Sequence, residues 1–200
     1  MLKLYKAGPS PFVRKVEVFL HEAGLSETTQ IVPVQSNPLA GDPVLMAANP
    51  VGKIPVLETE SGQMLFDSGV ICRYLDQREN LGFCPADNWH LLTLAASAEA
   101  MLAAMISMSY EARFRPDAFQ FEPWVEGQWA KTSCLLDAFE GPWVRDLDGP
   151  FNIAQITLVC ALGFLDFRHA KRNWRDNRPA LAEWFKNIST RPSLVATEPK

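Results

Sequence analysis

The chain has 200 residues, 48% of them hydrophobic, enough to bury a sizeable core as one domain or as two small ones. Its net charge of -4 gives no general attraction for phosphate backbones or anionic lipid, which sets nucleic acid and membrane surfaces aside as partners. Cys72, Cys84, Cys134 and Cys160 have neither CxxC nor metal-ligand spacing, and no charged leader precedes an apolar run, which together point to a reducing, cytoplasmic compartment.

Leu2 to Tyr5 reads as a short strand, and Gly8-Pro9-Ser10-Pro11 as a turn into a helix that ends near Ala23 at Gly24. A second β-rich run covers Thr29 to Val34. A loop through Asn37-Pro38 and Gly41-Asp42-Pro43 leads to a short helix over Val44 to Ala48. Val56 to Thr59 and Gln63 to Phe66 then form a hairpin across Ser61-Gly62, and Ser68 opens a helix to about Arg78. The order β-α-β-α-β-β-α is that of an α/β unit with a mixed sheet. Residues 80–87 form a linker, and beyond it strand signals nearly vanish. Helical patterns cover Asn88 to Arg113, Glu122 to Glu140, Asn152 to Arg168 and Pro179 to Thr190, so residues 88–200 form an all-helical domain. The apolar stretch Leu91 to Ser107 is interrupted by Glu99 and rich in alanine, the pattern of a buried core helix rather than a membrane span.

Three places could carry chemistry. Ser10 is a helix N-cap followed by proline at the first helical position, an ordinary helix start. The same geometry favours an anion, so its hydroxyl could donate to a thiolate; with one proton, the two roles compete. Pro55 opens a strand and donates no hydrogen bond, which leaves Ile54 able to pair with an extended ligand if the Ile54-Pro55 bond is cis. Asp67-Ser68 reads either as a solvated carboxylate beside a serine helix cap or as a split site for an amino acid head group. In the second case Ser68 takes the carboxylate and Asp67 the ammonium. Lys53, a solvated turn lysine by default, could take a second carboxylate. His21, His90 and His169 have no metal-ligand spacing, so no metal is expected.

A small peptide thiol fits these sites, and at this point the chain resembles the cytosolic glutathione transferases. The resemblance is carried by SPFVRKV at Ser10 to Val16, NPVGKIPVL at Asn49 to Leu57, FDSGVICRYLD at Phe66 to Asp76, and FNIAQITLVCALGFLDFR at Phe151 to Arg168. It implies a thioredoxin-like glutathione-binding domain over residues 1–79 followed by the helical domain. It also implies that Ile54 binds the cysteinyl backbone, Asp67 and Ser68 the γ-glutamyl end, and Lys53 the glycyl carboxylate, with Pro55 as the cis-proline and Phe12 beside the ligand. Ser10 falls where serine-type members place the hydroxyl that activates the thiol. Tyr5 competes with it for that role, since some members use a tyrosine near the end of the first strand. Lowering a thiol pKa from about 8.5 by about two units needs roughly 2.7 kcal/mol, within reach of a directed hydrogen bond at a helix terminus.

The resemblance further implies a homodimer and an acceptor pocket lined by Pro9, Phe12, Ser107, Tyr110, Glu111 and Phe114. Arg113 and Arg115 could attract an acidic acceptor. In the late helix, Asn152 and Gln155 stand where Ser or Thr and Asp are usual, yet the pair can still make a capping box. The basic run Arg168, Lys171, Arg172, Arg175 and Arg178 reads as a solvated loop after a helix. The expected activity is attack of the glutathione thiolate on an electrophile in a detoxifying conjugation. The alternatives are a glutathione-dependent disulfide reductase or isomerase, and a binding protein with negligible turnover.

Overall fold

In the computed structural model, which describes residues 1–200, the chain divides into two compact units. The first comprises Met1–Pro85 with Ala196–Glu198, the second Ala86–Val195 with Pro199–Lys200.

The first unit runs β1 (Lys3–Lys6), α1 (Pro11–Glu22), β2 (Gln30–Pro33), α2 (Pro43–Ala48), β3 (Val56–Glu58), β4 (Met64–Leu65) and α3 (Ser68–Glu79). The sheet order is β2-β1-β3-β4, with β1 parallel to β2 and both β1–β3 and β3–β4 antiparallel, a thioredoxin-like arrangement. α1 forms because Ser10 accepts from the Val13 N–H, Pro11 fixes the first turn, and Val13, Val16, Phe19 and Leu20 recur on one buried face. It packs against α3, whose Ile71, Cys72 and Leu75 are buried, and Leu4 and Leu57 fill the sheet side of the core. β4 is shorter than the sequence suggests. Thr59 closes the hairpin itself, its N–H donating to the Gln63 carbonyl while its hydroxyl accepts from the Gln63 N–H, so the turn consumes the first residue of the expected strand.

The second unit contains α4 (Trp89–Phe114), α5 (Glu122–Glu140), α6 (Ile153–Arg168), α7 (Pro179–Ile188) and all but the last residue of a short α8 (Pro192–Ala196) that the sequence pattern does not announce. α6 is its central element: Ile153 to Leu162 are all buried, as expected of a helix that is apolar all round. Its capping box is complete. Asn152 accepts from Ala154 and Gln155, and Gln155 Oε1 accepts from the Asn152 N–H at 3.0 Å. α4, with a mean hydropathy of 1.7, is long and apolar enough to cross a membrane by length and composition. It is a core helix here, packed on α5 and α6 through Leu94, Ala98, Met101, Leu102 and Met105.

Most of the basic run after α6 is held by carboxylates. Arg172 grips Glu126 and Arg175 grips Asp166 through two hydrogen bonds each, and Arg178, itself buried, binds Asp137 and Ser133. These bidentate pairs spend the charge that a phosphate backbone would need.

Candidate functional site

The register of the sheet gathers three distant segments at one end of it. Tyr5 lies opposite Val56, and Leu57 opposite Leu65. The C-terminal end of β1, the start of β3 and the end of β4 therefore share one edge. From that edge the chain continues to Ser10 at the head of α1, arrives from Lys53 and Ile54, and continues to Asp67 and Ser68 at the head of α3. Two helix N-termini and a strand start thus face a common space at strand ends, where α/β sheets commonly bind ligands.

Ser10 is half-buried with extended backbone, φ −119° and ψ 126°, and its Oγ accepts from the Val13 N–H at 3.4 Å. The cap uses an oxygen lone pair and leaves the hydroxyl proton uncommitted. Capping and donation to an anion therefore do not compete, contrary to the expectation from counting protons. Pro9 is exposed and Phe12 half-buried, on either side of the cap.

The Ile54-Pro55 peptide bond is cis. Pro55 is buried, and the Ile54 side chain packs on the cluster of Tyr5, Val34, Leu45, Ala48 and Val56. The ladder begins only at Val56, so the backbone of Ile54 stands outside the sheet. Lys53 is exposed. The loop that presents it is fixed by Asn49, which is 2% exposed: its Nδ2 donates to the Lys53 carbonyl at 2.8 Å and its Oδ1 accepts from the Val51 N–H at 3.0 Å. Gly52 completes the turn at φ +66°, where a Cβ would also lie 2.8 Å from the Met46 sulfur.

Asp67, not Ser68, caps α3. Its Oδ1 accepts from the Gly69 N–H at 2.9 Å and the Val70 N–H at 3.3 Å, and Ser68 becomes the first helical residue, buried at 1% exposure. Asp67 is exposed and follows a second cis bond, Phe66-Asp67.

In the helical unit, Ser107, Tyr110, Glu111 and Phe114 share the late part of α4. Ser107 donates to the Ala104 carbonyl, and Tyr110 and Phe114 pack edge to face with centroids 5.5 Å apart. Glu111 is buried, bound by the Phe121 N–H and by Arg115, which together lower its pKa below the usual carboxylate range.

The N-terminal-domain profile of the glutathione S-transferases matches residues 9–78, and their C-terminal-domain profile matches residues 122–187. An uncharacterised GST-like protein of Escherichia coli K12, YibF, is 33% identical across 99% of this chain and 98% of its own length. The chain belongs to the glutathione S-transferase family. Among solved structures, a glutathione transferase family member from Pseudomonas fluorescens Pf-5, crystallised with bound glutathione, is 41% identical with a TM-score of 0.96 over the whole of both chains. A glutathione S-transferase from Methylobacillus flagellatus KT with glutathione bound is 30% identical with a TM-score of 0.87, again covering both chains fully.

In this family member the Tyr5 hydroxyl is already engaged, donating to Glu58 Oε2 at 2.8 Å while Lys3 binds the other carboxylate oxygen. Burial, reinforced by the Glu58 bond and charge, raises the Tyr5 pKa. In the sequence Asn49 stands out only as the first residue of NPVGKIPVL. Its role in fixing Lys53 depends on a side chain reaching four residues ahead, which local sequence does not announce.

Proposed function

We propose that the protein is a serine-type glutathione transferase, in which Ser10 stabilises the glutathione thiolate for attack on an electrophilic acceptor. The convergence of Ser10, Ile54 and Asp67-Ser68 on one sheet edge carries this reading. The glutathione bound by the Pseudomonas and Methylobacillus relatives supports it. In this reading Ile54 offers its N–H and C=O to the cysteinyl backbone beside Pro55, while Asp67 takes the γ-glutamyl ammonium and Ser68 the adjoining carboxylate. Lys53 faces the glycyl carboxylate, and Phe12 lies beside the ligand. The sulfur then rests at the head of α1, where the Ser10 proton and the helix terminus favour the charged form. A further Pseudomonas structure, 40% identical, holds S-(propanoic acid)-glutathione, which supports a site tolerant of a substituent on sulfur.

The candidate acceptor-binding residues are Pro9 and Phe12 in the first unit and, in the second, the late α4 residues Ser107, Tyr110, Glu111 and Phe114. Residues 1–79 supply the thiol site and residues 88–200 the acceptor site. The protein works as a cytoplasmic homodimer, with glutathione as co-substrate, in detoxification.

A calorimetric titration of the pure protein with glutathione, followed by turnover of an activated chloronitrobenzene, tests the reading. Binding below millimolar and release of chloride are expected, and no heat at millimolar glutathione sinks it. Tyr5→Phe should change kcat/KM by less than about threefold, since removing a donor directed at a developing anion costs far more. The same variant should lower the melting temperature by removing the bond to Glu58. A hundredfold loss of turnover in Tyr5→Phe would move the activating role from Ser10 to Tyr5.

A further inference from the structure

Asn49 closes α2 and is almost fully buried, with its backbone and both ends of its side chain hydrogen-bonded. Its N–H donates to the Leu45 carbonyl and its own carbonyl accepts from the Gly52 N–H, both at 2.8 Å. Oδ1 then accepts from the Val51 N–H, and Nδ2 donates to the Lys53 carbonyl. Leu45 and Ala48, four residues and one residue earlier, are buried in the cluster on which the Ile54 side chain packs. Asn49 is therefore a fixed post between the core beneath α2 and the loop that enters β3.

The bond to Lys53 does more than close a turn. The Lys53 carbonyl and the Ile54 N–H belong to one planar trans peptide unit, in which the two groups point in opposite directions. Drawing the carbonyl onto Asn49 aims the N–H away from Asn49. That N–H has no acceptor within the protein, since the β1–β3 ladder begins only at Val56. Gly52, at φ +66°, imposes little restraint of its own, so without the Nδ2 bond this peptide plane is free to turn. The two side-chain bonds thus divide the work: the one from Val51 holds the turn, and the one to Lys53 holds the peptide plane. A donor fixed in advance spares a ligand the cost of ordering it.

We propose that Asn49 is a positioning residue for the peptide ligand: by holding the Lys53 carbonyl it sets the Ile54 N–H to receive the cysteinyl carbonyl of glutathione, an inference that rests on the glutathione-binding reading above. Asn49 touches no ligand and acts through the Lys53–Ile54 peptide. Its effect falls on the middle of the tripeptide, and the γ-glutamyl end at Asp67-Ser68 and the sulfur at Ser10 are held independently of it.

Asn49→Asp is the discriminating variant. It is nearly isosteric and keeps an oxygen for the Val51 N–H, but it replaces the donor to Lys53 with a carboxylate oxygen that repels the carbonyl. By calorimetry the glutathione Kd should rise about tenfold, the scale of one oriented hydrogen bond, and Asn49→Ala should lose as much. The KM for glutathione should rise by the same factor while kcat at saturating glutathione stays within about threefold, because the lost contact serves binding and not the reacting sulfur. In amide proton–nitrogen spectra the Ile54 signal of the native protein should move downfield when glutathione binds. In the variant that movement should vanish while the Ser68 amide still responds. A role confined to the turn predicts otherwise: Asn49→Asp, with its Val51 bond intact, would then bind glutathione as the native protein does. That result, or an Ile54 amide that still moves downfield, overturns the inference. Should Asn49→Asp not fold, Asn49→Ser, whose hydroxyl reaches the Val51 N–H but not the Lys53 carbonyl, is judged by the same criteria. No glutathione binding by the native protein removes the binding reading and this inference with it, whereas native binding with unchanged variants removes the inference alone.

Discussion

Ser10→Ala should lower kcat/KM for glutathione transfer to a chloronitrobenzene by about a hundredfold while the glutathione Kd stays within about threefold, because a single oriented donor to a developing anion is worth that much. The split between rate and affinity is the informative part. Ser10 Oγ accepts from the Val13 N–H, so its proton remains available to the thiolate, and nothing in that geometry requires Ser10 to hold the peptide. Removing the cap costs about 1 kcal/mol of stability as well, visible as an earlier denaturation midpoint. Ser10→Thr keeps both the acceptor and the proton and should restore most of the stability. A methyl group near the sulfur will decide how much rate returns. Parallel pH profiles add a second check, since the alanine variant needs higher pH for half-maximal rate as the thiol returns toward about 8.5. Turnover within about threefold of the native value removes Ser10 from the chemistry.

The seven longer helices were legible in the sequence because their boundary signals are local, whereas the five-residue α8 was not. Ser10-Pro11 and Asn152 with Gln155 mark starts that the structure reproduces within a residue, and α5 matches at both ends. The α/β order followed from the spacing of short β-rich runs, and the sheet brought their ends together as a mixed arrangement requires. What escaped was decided by side chains acting at a distance. Asp67 outcompeted Ser68 for the α3 cap because a carboxylate one residue earlier reaches two N–H groups, a choice that the adjacent pair Asp67-Ser68 leaves open. The Tyr5 hydroxyl was claimed by Glu58 across β1 and β3, a pairing set by register rather than by local sequence.

Asp67→Asn should separate the two duties of that residue. Asparagine keeps a side-chain oxygen for the Gly69 and Val70 N–H groups, so the unfolding free energy should change by less than about 0.5 kcal/mol. It loses the charge that the γ-glutamyl ammonium is proposed to meet. The glutathione Kd should therefore rise by about tenfold, or about 1.4 kcal/mol, a moderate figure because the carboxylate is exposed and screened by solvent. Asp67→Ala removes cap and charge together and should lose about 1 kcal/mol of stability beyond a comparable loss of affinity. A ligand-side control closes the cycle: a glutathione analogue lacking the γ-glutamyl amino group should bind the native protein more weakly than glutathione does, while the Asp67→Asn variant should scarcely distinguish the two. If the variant discriminates as strongly as the native protein, the ammonium is held elsewhere, and Asp67 serves α3 alone.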